Sequence, residues 1–319
     1  METLQLPDFV TALGHGVYAV DTGFTREHFD AAYLLVEDDR AAFIDTGTNF
    51  SVPRLLAALD AVGLEPEAVD WVIPTHVHLD HAGGVGLLMQ SLPNARLLCH
   101  PRGLRHMIDP KVLYMSARSV YGDAEMRRAY GRLVPVPAER GAPSFDGQVI
   151  RLAGRELLLL DTPGHARHHH CIWDARSRGW FSGDTFGLSY REFDGAAGPW
   201  ILPTSTPVQF EPEALQASIA RLLSYAPESM YLTHYHRVGD AARLGALLHA
   251  QIDQMVELAL MLREVANRHE RLKAGLQWLY LEGLHAHGCE LAPEQQLRLL
   301  ALDIELNAQG LGIWLDKRP

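Results

Sequence analysis

The stretch that most constrains this chain is residues 71–84, Trp-Val-Ile-Pro-Thr-His-Val-His-Leu-Asp-His-Ala-Gly-Gly. Trp71 to Ile73 is a short apolar run that reads as a buried strand, ended by Pro74 and Thr75. Four polar groups then arrive together: His76, His78, Asp80 and His81. Imidazole and carboxylate are the side chains that bind borderline metals such as zinc, manganese or iron. In extended backbone His76 and His78 point the same way, because side chains alternate with a period of two, so they can clamp one ion. Asp80 and His81 follow where the chain has begun to turn and can face a second position nearby. Gly83 and Gly84 then allow a tight backbone path. A polar loop with one histidine needs no metal to explain it; this density of ligand-type groups does.

Along the rest of the chain, apolar runs predict strands at 17–20, 32–36, 41–44, 96–99, 148–152, 156–160, 171–174, 179–182 and 229–233. Helical spacing marks 51–62, with Ser51 as its cap and Pro53 in its first turn, and a further helix within 81–91. This alternation predicts an α/β fold. Four predicted strands end in histidine or aspartate: the run from His76, then His165, Asp184 and His234. Ligand sites gather at strand C-termini in α/β sheets. Five histidines and two aspartates delivered in this way are enough for two metal ions.

Composition narrows the alternatives. The 319 residues, 47% hydrophobic and 21% charged, suit one large globular domain or one domain with an appendage. A net charge of −11 with no basic stripe opposes nucleic-acid binding. Cys99, Cys171 and Cys289 are widely spaced and form no CxxC pair, which predicts a reducing cytoplasm. The N-terminus lacks the basic start and apolar core of a leader, and no apolar run matches a membrane span. Residues 101–135 break the strand–helix rhythm with helices and loops rich in Met, Arg and Tyr; insertions of this kind often form lids. Beyond residue 240 the chain turns helical. A stripe at Leu248, Ile252, Met255, Ala259 and Leu262 opens this part, followed by helices at 271–284 and 293–308, the last capped by Gly310. We therefore expect a domain over 1–240, carrying the 101–135 insertion, and a helical extension over 241–319 packed on it, a surface open to homo-oligomerisation.

The strand ends resemble the metallo-β-lactamase fold superfamily. The resemblance rests on His-Val-His-Leu-Asp-His at 76–81, Thr-Pro-Gly-His at 162–165, Ser-Gly-Asp at 182–184 and Thr-His at 233–234, and covers roughly residues 10–240. It implies a four-layer αββα sandwich with metals at one edge. It implies that His76, His78 and His165 hold one ion, that Asp80, His81 and His234 hold a second, and that Asp184 bridges them. Asp45, before Thr-Gly, matches the superfamily's early aspartate that supports a ligand imidazole. His169, one of three histidines after His165, is expected to support a ligand rather than bind metal. Asp80 beside His81 resembles the hydrolase branch, as in glyoxalase II and lactonases. True β-lactamases usually carry cysteine where Asp184 stands.

A small-molecule hydrolase follows. Two divalent cations, zinc first and manganese or iron as alternatives, would sit about 3.5–4 Å apart and share a hydroxide. Metal binding brings water's pKa toward about 7. The hydroxide would attack a small ester, thioester or lactone, with Asp80 and Asp184 as the catalytic carboxylates. The competing readings are a mononuclear iron oxidoreductase resembling persulfide dioxygenases, a phosphodiesterase, and a regulatory binding protein. Substrate contacts are expected from Tyr190 and Arg191 after the Asp184 loop, from Tyr114, Met115 or Tyr121 in the insertion, and from His236 on the side of His234. Substrate choice is assigned to 101–135, 186–210 and the tail.

Overall fold

Strands built from β-branched and long apolar residues assemble into two mixed sheets. In the first, β1 (Val10–Gly14), β2 (Val17–Asp21), β3 (Ala31–Glu37), β4 (Arg40–Ile44), β5 (Val69–Ile73), β6 (Arg96–Cys99) and β7 (Gly141–Pro143) lie side by side in chain order. Neighbours are antiparallel from β1 to β4 and parallel from β4 to β7. The second sheet contains β8 (Gln148–Leu152), β9 (Arg155–Asp161), β10 (His170–Asp174), β11 (Gly179–Gly183), β12 (Ser229–Leu232) and β13 (His236–Val238), again in chain order. Here β8 to β11 are antiparallel, and β11 and β12 are parallel. The computed structural model describes residues 5–205 and 208–318. The first four residues of the N-terminal stretch considered for a leader, and Thr206 and Pro207 of the 186–210 segment, lie outside the described residues.

The helices are α1 (Val52–Ala61), α2 (Leu79–Ala82), α3 (Val85–Ser91), α4 (Pro101–Ile108), α5 (Lys111–Glu125), α6 (Pro212–Leu223), α7 (Ala241–Met261), α8 (Arg268–His287), α9 (Pro293–Leu299) and α10 (Ala301–Asp316). None of the described helices is long and apolar enough to cross a membrane. The chain divides into two compact units. The first comprises Met1–Asp161, His168–Gly183 and Glu228–Arg237; the second comprises Thr162–Arg167, Asp184–Pro227 and Val238–Pro319.

In the first unit, Val17, Tyr33, Leu35 and Ile44 of one sheet meet Leu157, Leu159, Ile172 and Phe181 of the other. The opposite face of the first sheet, with Val20, Leu34 and Phe43, packs on Leu55 and Leu59 of α1 and Leu88 of α3. Burial on both faces explains why β3 and β4 read as continuous apolar runs rather than alternating ones. Each fully buried Leu or Phe side chain contributes about 1.5–3 kcal/mol relative to exposure.

One buried ion pair closes the β9–β10 hairpin. Arg155 Nε lies 2.9 Å from Asp174 Oδ1, and both side chains are sealed from water. Arg155 Nη1 also donates to the His15 carbonyl at 2.7 Å, so one guanidinium ties the second sheet to the β1–β2 turn. Burial pushes the Asp174 carboxyl up, but the hydrogen bonds from Arg155 and Ser177 outweigh it and hold the group below its ordinary range. Asp174→Asn should therefore cost about 3–5 kcal/mol in urea unfolding, since it strands a buried guanidinium. Because the folded pKa is depressed, the Asp174 contribution is complete above about pH 4 and is lost as pH falls through the folded value.

In the second unit the expected stripe on α7 is buried at Leu248, Ile252, Met255 and Ala259, with Leu262 at its half-buried end. Polar side chains of the tail hold the segment that follows Asp184. Gln251 donates to the Ile201 carbonyl at 2.7 Å. Asn307 accepts from the Ser205 amide at 2.7 Å and donates to the Pro203 carbonyl at 3.2 Å and the Tyr280 hydroxyl at 2.7 Å. Truncation at Gly239 would leave those groups and the apolar faces of α6 and the 186–205 segment without cover. The expected outcome is loss of soluble protein in an expression and sedimentation assay.

Several local expectations change. The helix expected at 293–308 is two helices broken at Leu300, and Gly310 lies inside α10 rather than capping it. Ser51 does not cap α1; its hydroxyl accepts from the Thr48 amide while Thr48 caps the 3-10 turn before it. Strands β1, β7 and β13 and helix α6 were not anticipated. β7, Gly-Ala-Pro, has no strand-forming side chain and exists only because β6 supplies an edge.

Candidate metal centre

The site grows from one carboxylate. Asp45 follows β4 in left-handed backbone at φ 55° and is buried. Its Oδ1 accepts the Thr75 amide at 2.7 Å and the Thr75 hydroxyl at 3.0 Å. Its Oδ2 accepts the Thr233 hydroxyl at 2.9 Å and lies 2.9 Å from His81 Nδ1. Asp45 thus joins the ends of β4, β5 and β12. It also sets the His81 ring, since an Nδ1–H held by a carboxylate leaves Nε2 as the basic nitrogen.

The same device recurs at His234, whose Nδ1 lies 3.0 Å from the Phe29 carbonyl oxygen. The two Nε2 atoms then turn toward Asp80 Oδ2, at 3.9 Å from His81 and 3.6 Å from His234. Donor atoms of Asp80, His81 and His234 all lie within 4.8 Å of one another, a group able to hold a metal ion. Two basic nitrogens and a carboxylate oxygen fit a borderline divalent cation. Nearby, His76 Nε2 and His78 Nδ1 are 2.7 Å apart, as expected of two imidazoles two residues apart in extended backbone. His169 is fully buried and stacks on His76, with ring centroids 4.8 Å apart.

In the second unit His165 and Asp184 form the matching arrangement. His165 Nδ1 lies 3.1 Å from the Thr204 carbonyl oxygen and Nε2 lies 3.3 Å from Asp184 Oδ2. Both side chains are buried. The glycines of the two motifs have steric reasons. A Cβ on Gly164, at φ 131°, would meet the Leu215 amide nitrogen at 2.2 Å. One on Gly183, at φ 47°, would stand 2.6 Å from both His169 Nε2 and Thr75 Oγ1. Only glycine fits against the α6 backbone at the first position and against the His169 and Thr75 side chains at the second.

The substrate residues expected from sequence fare differently. Tyr190 is no surface residue: it is fully buried and its hydroxyl donates to Asp303 of α10 at 3.2 Å. Arg191 turns back on its own loop, donating to the Ser189 carbonyl at 2.7 Å and pairing with Asp194 at 3.2 Å. An aromatic after the motif carried no signal that a tail helix would take up its hydroxyl. His236 is half-buried in left-handed backbone, and its Nδ1 accepts from the Arg237 amide. Tyr114 is half-buried and lines a cavity in the insertion, while Met115 and Tyr121 are exposed. Sequence reasoning missed Asp30. Burial lifts its carboxyl well above the ordinary range; His81 opposes the lift, and Asp80 and Asp45 add to it. Its Oδ2 accepts from Thr22 Oγ1 at 2.9 Å. A lone aspartate before a strand belongs to no motif, so only its place in the fold reveals it.

A model of the metallo-beta-lactamase superfamily matches residues 26–236. The chain belongs to that superfamily. Within it, the chain is 28% identical over 218 residues to a hydroxyacylglutathione hydrolase of Salmonella typhi, covering 64% of this chain and 70% of the relative. It is 30% identical over 202 residues to an acyl-coenzyme A thioesterase of Gallus gallus, covering 59% of this chain and 67% of the relative. Among solved structures, an archaeal metallo-beta-lactamase superfamily protein from Sulfolobus tokodaii superposes with a TM-score of 0.65 at 20% identity. That match covers 93% of this chain and 98% of the other. The superfamily fold, two mixed sheets flanked by helices, is the α/β sandwich expected, here followed by the C-terminal helices.

The hydrogen bond from His81 to Asp45 yields a direct test. Asp45→Ala should weaken metal binding about 10–100-fold in a competition titration with a chromophoric chelator, because the imidazole loses its orientation and some basicity.

Proposed function

We propose that the chain is a dinuclear metal-dependent hydrolase that cleaves small thioesters. The observation that carries this reading is the shared construction of His81, His234 and His165. Each is held through Nδ1 by a protein oxygen and aims Nε2 at an aspartate. A histidine serving only as core filler needs no such paired arrangement. In this reading His76, His78 and His165 hold one ion, Asp80, His81 and His234 hold a second, and Asp184 is shared. The donor set of neutral imidazole and carboxylate favours zinc.

Ions held there would supply Lewis acidity and a water-derived nucleophile at neutral pH. The protein's own part is positional. Asp45 and the Phe29 and Thr204 carbonyls fix three imidazoles before any ligand arrives. His169 packs against the His76 ring and limits its rotation. Asp80, beside two imidazoles, is the carboxylate placed to take the nucleophile's proton. Thioesters are favoured over lactones and phosphodiesters because both curated relatives above are named for thioester substrates. A cytoplasmic location belongs to the same proposal, in keeping with Cys99, Cys171 and Cys289, none of which forms a disulfide.

Metal analysis of the purified protein should find two zinc ions per chain together with thioester cleavage. One iron per chain with oxygen uptake would replace this reading with the oxidoreductase. Asp184→Asn should cut turnover by about 100-fold or more with folded yield near normal, since a neutral amide is a poor ligand for two cations. His78→Ala and His234→Ala should each retain one tight site in metal titration. Joint loss of both ions in both variants would defeat the partition.

A further inference from the structure

The insertion at 101–135 contains a cavity of about 730 Å³, formed where the start of α5 meets the segment after it. Its volume lies in the range of sites for ligands of drug or cofactor size. Three cations line it: Lys111, Arg127 and Arg132. All three are exposed, and none forms an ion pair among the described residues. Their neighbours behave otherwise, since Arg118 pairs with Asp123 and Arg128 with Glu125. On a chain with a net charge of −11, the gathering of three cations around one cavity is the observation that points to an anionic ligand. One carboxylate, Asp109, also lines it and accepts the Lys111 amide at 3.3 Å, at the start of α5.

The remaining wall is apolar, with Ile108, Tyr114 and Leu133. The cavity therefore suits a ligand with several negative charges on a flat or apolar body. Guanidinium forks match phosphate oxygens, and an aromatic wall suits a base. Two of its wall residues also pack in or against a cluster that reaches the first metal-type motif. Leu133 belongs to the buried cluster that contains Leu79, with Tyr114 packed against it, and Leu79 stands between ligands His78 and Asp80 in the chain.

We infer that this cavity seats the phosphate-bearing nucleotide end of a coenzyme A thioester. The inference rests on the thioester reading of the metal centre and chooses its carrier. Glutathione, a zwitterion with two carboxylates and no aromatic body, would leave the apolar wall and at least one cation unused.

The test is calorimetric titration of the full-length protein with coenzyme A, adenosine bisphosphate, pantetheine and glutathione, which needs no turnover. Coenzyme A and adenosine bisphosphate should bind, and pantetheine and glutathione should bind far more weakly. The triple variant K111Q/R127Q/R132Q should weaken the two phosphate-bearing ligands by about tenfold or more, as expected for lost charge-assisted hydrogen bonds. Its metal content, melting temperature and rate on acyl-pantetheine should match wild type, while KM for acyl-coenzyme A rises at unchanged kcat. The single variants R127Q and R132Q, each expected to weaken binding severalfold, replace the triple variant should it fold poorly. Coenzyme A binding no tighter than pantetheine, or equal binding by wild type and variants, overturns the inference. Nucleotide binding as described without thioester cleavage would leave the cavity assignment standing and remove the hydrolase reading. Thioester cleavage indifferent to these variants would do the reverse.

Discussion

A single buried carboxylate, Asp45, holds the ligand-bearing edge of the first unit together. It accepts from a backbone amide, two hydroxyls and an imidazole, which come from the ends of β5 and β12 and from α2. A carboxylate so far from water is tolerable only when its lone pairs are taken up by donors. The requirement runs both ways. Thr75, Thr233 and His81 must converge for Asp45 to be buried, and once they do, the ends of β4, β5 and β12 have fixed relative positions. The left-handed backbone at Asp45 is the local cost of aiming the carboxylate inward.

The second unit relies mainly on side-chain amides where the first uses a buried carboxylate. The segment after Asp184 has little regular structure of its own, so its backbone groups need partners from elsewhere. Gln251 and Asn307 of the tail helices provide them, and the Tyr190 hydroxyl is taken by Asp303. The tail helices and the segment carrying Asp184 and His165 consequently belong to one compact unit. A position just before the tail looked like a boundary in the sequence, because hydropathy periodicity changes there. Periodicity reports which face of a helix is buried, and is silent about which residues bury it.

Legibility followed the range of the interactions. The strands at 32–36, 41–44, 156–160 and 171–174 were readable because burial on one or both faces leaves a pattern in consecutive residues. The pairing of His76 with His78 was readable because a spacing of two residues in non-helical backbone can return a side chain to the same side. Asp30, Tyr190 and Arg191 were not readable in their actual roles. Residues distant in sequence, among them Asp80 and Asp303, make the environment of the first two, and the fold of its own loop turns Arg191 back onto Ser189 and Asp194.

The sequence by itself determined the ligand chemistry, the strand ends that carry it, and the glycines that must stay small. These depend on residue type and on spacings of a few residues, which backbone geometry converts directly into direction. Tertiary structure alone decided which nitrogen of each histidine faces a ligand, since that depends on where Asp45 and the Phe29 and Thr204 carbonyls come to rest. It also decided that the cations of the insertion, spread from Lys111 to Arg132, line one cavity. Both outcomes rest on sheet register and helix packing. A one-residue slip in pairing would send each side chain to the opposite face, with no change in the motif that carries it.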